Sequence, residues 1–319
     1  LSHTTRLKMK GRTPLGTLLG LTTFALVGCA STLTPCYAHI YLDDRYAIRG
    51  TYGGSDQPAG SESCYRFAYS RDGRVVRIDY AKAGEVRPDP ILGVPTIVLE
   101  YAQGSEKRRY QNETGTPIPN ANGVYAVELK YDQSTNPVEW KNFGAADQLV
   151  EDRQSGVAIT RWKYDPLGNL AEQSYFGADG RLKDDMLRGV AIVRWKYEGP
   201  NTVEESYFGT DGQLKEDNLR TVAIVRWRYG EHGNTVEESY LGADQRLTED
   251  KLRGVAIIRW KYDRNWGIAE ERYFGSDQRL KEDKLRGAAI VRWQYDRQGG
   301  RISTLMFDKN EIPIKGAGK

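Results

Sequence analysis

The chain has 319 residues, with 46 lysine and arginine residues against 43 aspartate and glutamate residues. A chain so close to neutral lacks the field of unpaired basic charge on which nucleic-acid binding depends, so we expect no nucleic-acid partner. Its aromatic residues are mainly amphipathic, 20 Tyr and 7 Trp against 7 Phe, and such residues favour antiparallel sheet.

The first 28 residues have the three parts of an export signal. The basic segment contains Arg6, Lys8, Lys10 and Arg12. An apolar stretch at 15–27 follows, shorter than the about 20 residues that span a bilayer, and it ends in the motif LVGC at 26–29. A branched apolar residue and small residues directly before a cysteine resemble the lipobox of bacterial lipoproteins.

This resemblance implies cleavage after Gly28 and diacylation of Cys29, with the membrane as a partner through the lipid anchor. Ala30 stands where an aspartate would favour retention in the inner membrane, so the outer membrane of the envelope is favoured. The alternative is an ordinary secretory signal with a chance cysteine. Removal of residues 1–28 leaves 42 basic against 43 acidic residues.

Residues 29–62 are interpreted as an N-terminal tether and cap. Beyond the lipid-bearing cysteine only Cys36 and Cys64 remain, and the oxidising envelope favours a disulfide between them. Two separate reduced thiols are the alternative, since sequence alone does not fix cysteine connectivity.

Internal repetition dominates the rest of the chain. In residues 156–319 a tyrosine follows each Arg-Trp pair at spacings of 33, 32, 33 and 33, at Tyr164, Tyr197, Tyr229, Tyr262 and Tyr295. The same frame continues backwards in degenerate form through residues 63–155, at Tyr131, Tyr101 and Tyr69. The chain is therefore predicted to hold about eight units of about 33 residues.

Each unit reads as a β-hairpin followed by a connecting loop. Branched and aromatic residues fill the strings VAIVRWKY and LAEQSYF, which predicts two strands, and 165–169 (DPLGN) has the proline and glycine of a turn. The loop RLKDDMLRG fits a single helical turn closed by Gly189. If Asp165 pairs with Asn169, the predicted partners are Trp162 with Glu172, Arg161 with Gln173, Arg226 with Glu238, and Arg259 with Glu271.

The predicted fold is all-β, with tandem hairpin repeats stacked as an open twisted or spiral sheet, because a lone hairpin is marginal in water and must bury its apolar face on a neighbour. The motif YDPLGN at 164–169 resembles the YD repeats of Rhs and teneurin-like proteins. The repeats of this chain differ from YD repeats in their longer period and in their R-W and Y-F-G-x-D motifs. The resemblance implies the hairpin architecture, and eight units are too few to enclose a cargo.

We find no signature of catalysis, so we expect no enzyme, no cofactor and no metal site. His39 and His232 are the only histidines after residue 28, and no nucleophile elbow, metal-binding helix motif or phosphate loop is present. Two carboxylates lie six residues apart in each clear connecting loop, as in Asp179 and Asp185. Interleaved basic residues favour turn capping over calcium binding there.

Two aromatic columns recur once per unit and are candidate ligand surfaces. They contain Trp162, Trp195, Trp227, Trp260, Trp293, Tyr175, Tyr207, Tyr240 and Tyr273. The tryptophans can form the buried seam between units or an exposed ladder that stacks on sugar rings. The sequence therefore predicts an envelope lipoprotein that binds or scaffolds a protein partner, with binding of peptidoglycan or exopolysaccharide as the alternative.

Overall fold

The computed structural model describes residues 36–51, 63–296 and 298–314. All of them belong to one compact unit, residues 34–319. The export signal and Cys29 lie outside the described residues, so lipidation stays a prediction. Within the described ranges the chain forms strands, turns and loops, and no helix there could cross a membrane.

The described residues contain 20 strands. The N-terminal segment holds β1 (Cys36–Tyr37), β2 (His39–Leu42) and β3 (Ile48–Thr51). Eight hairpins follow, with a two-residue strand, β6 (Glu85–Val86), after the first. Their strands are β4 (Cys64–Tyr69), β5 (Val75–Lys82), β7 (Thr96–Ala102), β8 (Ser105–Gln111), β9 (Ala126–Tyr131), β10 (Pro137–Phe143), β11 (Ile159–Tyr164), β12 (Leu170–Phe176), β13 (Ile192–Glu198), β14 (Asn201–Phe208), β15 (Ile224–Tyr229), β16 (Thr235–Leu241), β17 (Ile257–Tyr262), β18 (Ile268–Phe274), β19 (Ile290–Tyr295) and β20 (Arg301–Phe307).

The hairpins pair one after another into a single antiparallel sheet. Strands β7 to β20 follow in chain order, β5 pairs with β4, β6 and β7, and β1 pairs with β4. At the other end β20 pairs with β19, while β2 and β3 form a separate two-stranded sheet. The prediction of tandem hairpins in an open sheet is confirmed.

Side chains alternate between the two faces of each strand, as in any pleated strand. In β13, Val193 and Trp195 point to what we call the inner face, and Arg194 and Lys196 are exposed on the outer face. The inner-face core of the clear repeats contains Val190, Val193, Tyr207, Val222, Val225, Tyr240, Val255, Ile258, Tyr273, Ala288 and Val291. Each buried aliphatic side chain contributes about 1.5–3 kcal/mol.

The predicted pairing register is wrong by one residue, because each clear hairpin contains a β-bulge. In the first clear hairpin the register shifts between Lys163 and Tyr164, so that Trp162 lies opposite Gln173 and Arg161 opposite Ser174. The other predicted pairs fail for the same reason. The observed partners there are Arg226 with Ser239 and Arg259 with Arg272. A bulge adds an unpaired residue to one strand and displaces every pair beyond it.

In the observed register the charged pairs connect neighbouring hairpins. Glu172 accepts from Lys163 of its own hairpin at 2.7 Å and from Arg194 of the next hairpin at 2.8 Å. Glu204 and Glu270 repeat this arrangement with Arg226 and Arg292. Pairs of this kind contribute only about 0.2–1 kcal/mol each, so their main effect is to fix which strands meet.

The tyrosine that marks each unit also connects it to the unit before. The hydroxyl of Tyr197 donates to the carbonyl of Leu170 at 2.9 Å, and Tyr229 donates to the carbonyl of Thr202 at 2.8 Å. Tyr164, Tyr262 and Tyr295 make the equivalent bond. This hydrogen bond between units explains why tyrosine recurs at this position without a role in ligand binding.

The connecting loop contains one turn, as predicted, although the turn does not continue into a helix. The Gly189 amide donates to the Asp185 carbonyl at 2.8 Å, and Gly189 has φ +72°, which glycine adopts without strain. The buried carboxylate of Asp185 accepts from the amides of Leu187 and Arg188. This confirms a capping role for the second aspartate of each loop pair.

The carboxylates between hairpins predict a pH dependence. Burial raises the pKa of Glu270, but hydrogen bonds from Arg272 and Arg292 outweigh it and lower that pKa from 4.5 to about 2. A lowered folded-state pKa gives stability that is present above pH 4.5 and lost as the pH falls toward 2. We predict that Glu270→Gln lowers the free energy of unfolding by about 1 kcal/mol at pH 7.

Urea denaturation from pH 7 to pH 2 checks this prediction, and the difference from wild type should shrink as the pH falls. Glu231→Gln is the control, because Glu231 is exposed in a hairpin turn and should leave the curve unchanged. An equal loss of stability at pH 7 and pH 2 would contradict the electrostatic explanation.

Candidate binding face

The predicted tyrosine column lies mostly in the core. Tyr207, Tyr240 and Tyr273 are 3%, 2% and 0% exposed, and Tyr175 packs partly buried against the same cluster. Burial raises the pKa of Tyr175 to about 12, so its hydroxyl is a neutral group at physiological pH. The three buried tyrosines therefore offer no ring face to a ligand.

The predicted tryptophan column divides into two parts. Trp162 is 6% exposed, whereas four later tryptophans are partly buried and pack against the core. These four are Trp195, Trp227, Trp260 and Trp293. An indole with one apolar side and one wet side is typical of interfaces, so the later part of the column is the part available to a partner.

The difference arises from the N-terminal hairpin, β2–β3, which covers the inner face over the early repeats. The ring centroid of Tyr46 lies 5.0 Å from that of Trp162 and 6.0 Å from that of Trp140. Ile48 is buried in a core cluster together with Leu99 and Leu129 of the degenerate repeats. The sequence assigned this segment to a tether and cap and did not predict a hairpin.

Cys36 and Cys64 hold the start of this segment against the first hairpin. Their sulfurs form a disulfide with the Cα atoms 5.5 Å apart, within the range that disulfides require. Strand β1 also pairs with β4 beside this bond. The polypeptide therefore enters the N-terminal hairpin from a fixed point on the sheet.

A row of leucines is exposed on the connecting loops of the clear repeats. Leu187, Leu219, Leu252 and Leu285 are 52%, 52%, 54% and 72% exposed. The loops that carry them stack, because the amides of Asn218 and Lys251 donate to the carbonyls of Arg188 and Arg220 at 2.7 Å. The leucines were not among the residues predicted from the sequence, although a Leu-Arg pair recurs before the end of each loop.

The same loops run along the inner face. The Arg253 guanidinium lies 5.1 Å from the centroid of the Tyr273 ring, and Arg220 and Arg188 lie in the same way over Tyr240 and Tyr207. We call the four half-buried tryptophans together with the four exposed leucines the Trp–Leu strip. Its leucines are large exposed apolar side chains in a regular row, which marks an interaction surface.

Carboxylates at the base of the strip are already paired. Glu205 accepts from Arg188 at 2.9 Å, and Glu271 accepts from the indole Nε1 of Trp260 at 3.1 Å and lies 3.8 Å from Arg286. Because each carboxylate has an arginine beside it, the strip presents apolar surface with little net charge. Such a surface suits an apolar partner segment better than a charged one.

The remaining polar candidates have structural environments. His232 lies in a hairpin turn with its ring centroid 4.2 Å from that of Trp266 in the next hairpin. Asp179 accepts from the amide of Arg181 at 3.0 Å in its turn. In the part of the chain that the structure describes, no three histidine, cysteine, aspartate or glutamate residues are grouped to hold a metal ion.

Comparison with known proteins gives only weak structural similarities. No protein-family model and no curated protein matches the chain. Among solved structures it is similar to the crystal structure of TcdB2-TccC3-Cdc42, with 13% identity over 77% of this chain and a TM-score of 0.40. It is also similar to TcdB2-TccC3 without its hypervariable C-terminal region, with 12% identity over 82% of this chain and a TM-score of 0.31.

The chain spans only 12% and 14% of the lengths of these two chains. A likeness with so low a TM-score supports no inference about function. The open antiparallel sheet is established by the pairing of the strands themselves.

The two classes of tryptophan predict different fluorescence. Trp227→Phe should remove an accessible emitter, so that the remaining emission is less quenched by acrylamide, while Trp162→Phe should remove a shielded emitter and make the remaining emission more quenched. Each substitution removes one of the 7 tryptophans of the chain. Stern–Volmer plots for both variants and wild type provide the measurement, and a shift in the same direction for both would show that the two sites are equally exposed.

Proposed function

We propose that this protein is a lipid-anchored component of the bacterial envelope, favoured at the outer membrane, that binds an apolar segment of another protein on the Trp–Leu strip. The function is binding and scaffolding, without catalysis. The observation that carries the proposal is the unequal covering of the inner face. Trp162 is buried beneath the chain's own hairpin, while the four later tryptophans on the same face are only partly buried.

The covering hairpin indicates what kind of segment fits. It places Tyr46 and Ile48 on the inner face, and Arg108 donates to the backbone carbonyl of Tyr46. Aromatic and aliphatic side chains of a β-hairpin, Tyr46 from its turn and Ile48 from β3, are therefore what this face binds within the molecule. A partner segment of the same chemistry would bury the leucine row and the exposed sides of the indoles, and buried tryptophans are frequent hot spots of binding.

The anchor is supported by the sequence. The basic segment, the apolar stretch and the cysteine of LVGC occur in the order of a lipoprotein signal. A disulfide between Cys36 and Cys64 also agrees with an oxidising compartment such as the envelope. Several acyl chains would hold the protein on its membrane, where one chain gives only reversible binding.

The strip is tested by photo-crosslinking in the envelope of expressing cells. A benzophenone amino acid at Leu219 or at Leu252 should crosslink to the same protein, because the two positions lie in one row. The matched control places it at Glu231, an exposed residue of a hairpin turn. Leu187→Glu with Leu285→Glu should reduce the crosslinked fraction about tenfold or more, since charges would be buried without partners.

Circular dichroism and thermal melting of the double variant verify that the fold is intact. Different crosslinked proteins from Leu219 and Leu252, or equal crosslinking from Glu231, would contradict a partner on the strip. Crosslinks to polysaccharide alone would favour the carbohydrate alternative.

The anchor is tested separately by metabolic labelling with a palmitate analogue. Cys29→Ser should abolish the label and release the protein from the membrane fraction, because the thiol is the proposed acylation site. Cys36→Ser is the matched control and should keep the label. Retention of label in Cys29→Ser would refute the lipoprotein assignment without affecting the strip.

A further inference from the structure

A cavity of about 390 Å³ lies where the N-terminal hairpin meets the first clear repeat. Five aromatic residues line it. Tyr46, Trp140 and Tyr175 are partly exposed there, whereas Tyr110 and Trp162 are buried. Around them are the side chains of Asn120, Asn122, Asn142, Gln154, Ser155 and Gln173. The lining described by the structure contains neither lysine nor arginine.

The cavity exists because one repeat departs from the others. In later repeats an arginine of the connecting loop pairs with a glutamate on the inner face, as Arg188 does with Glu205 at 2.9 Å. At the equivalent positions of the first clear repeat stand Ser155 and Gln173. Both partners of the ion pair are thus replaced by uncharged groups, and the smaller serine leaves space where a guanidinium would lie.

A third departure occurs at the same place. Gln154 occupies the loop position that is leucine in the following repeats, such as Leu187. All copies of a repeat must satisfy the same packing with their neighbours. Three changes that line one cavity and all introduce neutral hydrogen-bonding groups therefore indicate a role other than packing.

Two of the polar groups in the cavity are fixed and one is free. Asn142 accepts from the Trp140 indole at 2.7 Å and donates to the Val157 carbonyl at 3.1 Å, so it holds the indole in place. The Asp152 carboxylate accepts from the amides of Gln154 and Ser155. The Gln173 side chain makes no hydrogen bond to any described residue, so both its donor and its acceptor are available to a ligand.

We propose that this cavity binds an uncharged hexose unit of a glycan. A pyranose ring has an apolar face that packs on aromatic rings, and its hydroxyls both donate and accept, which matches a free amide. The absence of basic residues among the described lining argues against an anionic ligand. The cavity borders the Trp–Leu strip at Leu187, which lines both, and the sugar proposal does not depend on the protein partner proposed for the strip.

The test is calorimetric titration of the mature chain, in detergent, with maltose and with N,N′-diacetylchitobiose. We expect at least one of them to bind with a Kd of about 0.1–10 mM, the range of a small polar ligand in a shallow site. Glucuronic acid, which carries a charge, should bind at least about tenfold more weakly. Binding of neither disaccharide at about 10 mM would overturn the proposal.

The decisive variant rebuilds the ion pair of the other repeats by Ser155→Arg with Gln173→Glu. It should fold, because later repeats contain this arrangement, as in Arg188 and Glu205, and it should weaken sugar binding at least about tenfold by filling the cavity. The matched control makes the reverse change, Arg220→Ser with Glu238→Gln, and should keep wild-type affinity. Unchanged affinity in the first variant, or loss of affinity in the control, would overturn the assignment to this cavity, whatever the crosslinking of the strip shows.

Discussion

One extra residue in each clear hairpin determines how the repeats connect. The bulge before the marker tyrosine shifts the pairing by one position. As a result Glu172 lies opposite Lys163 of its own hairpin, and the pairing of β12 with β13 places it opposite Arg194 of the next hairpin. In the register without a bulge, arginine and glutamate would face each other inside a single hairpin. The bulge therefore prevents an arginine–glutamate pair inside the hairpin, as Arg226 lies opposite Ser239, and the pairing of neighbouring hairpins brings Arg226 to Glu204 of the hairpin before it.

The sequence was sufficient for the architecture and not for the register. Strand and turn signals are local: Tyr164 closes a branched and aromatic run, and the aspartate and glycine that follow suit a turn. These signals recur at the same interval, so eight hairpins could be predicted. The extra residue of the bulge is Ala171, because its neighbours Leu170 and Glu172 pair with Tyr164 and Lys163, and neither glycine nor proline marks it. A shift of one residue leaves the strands in place and exchanges every cross-strand partner.

The candidate sites were harder to predict because they depend on which segment covers the inner face. All five repeat tryptophans occur in the same motif, yet Trp162 is buried and Trp227 is only partly buried. The hairpin that causes this difference comes from a part of the chain without repeats, and no local pattern shows where it packs. The Ser155 and Gln173 substitutions are visible in the aligned repeats, but only the structure shows that they border one cavity.

The glutamate–arginine pairs between neighbouring hairpins allow the number of repeat units to change. The first four clear units each offer arginine toward the preceding hairpin and glutamate toward the following one, so the edges of these units are interchangeable. If one whole unit were deleted, Glu172 would meet Arg226 in place of Arg194, and each carboxylate would keep its counter-charge. Duplication or loss of complete units can therefore lengthen or shorten the leucine row in fixed steps, whereas a fractional insertion would put carboxylates opposite the wrong strand.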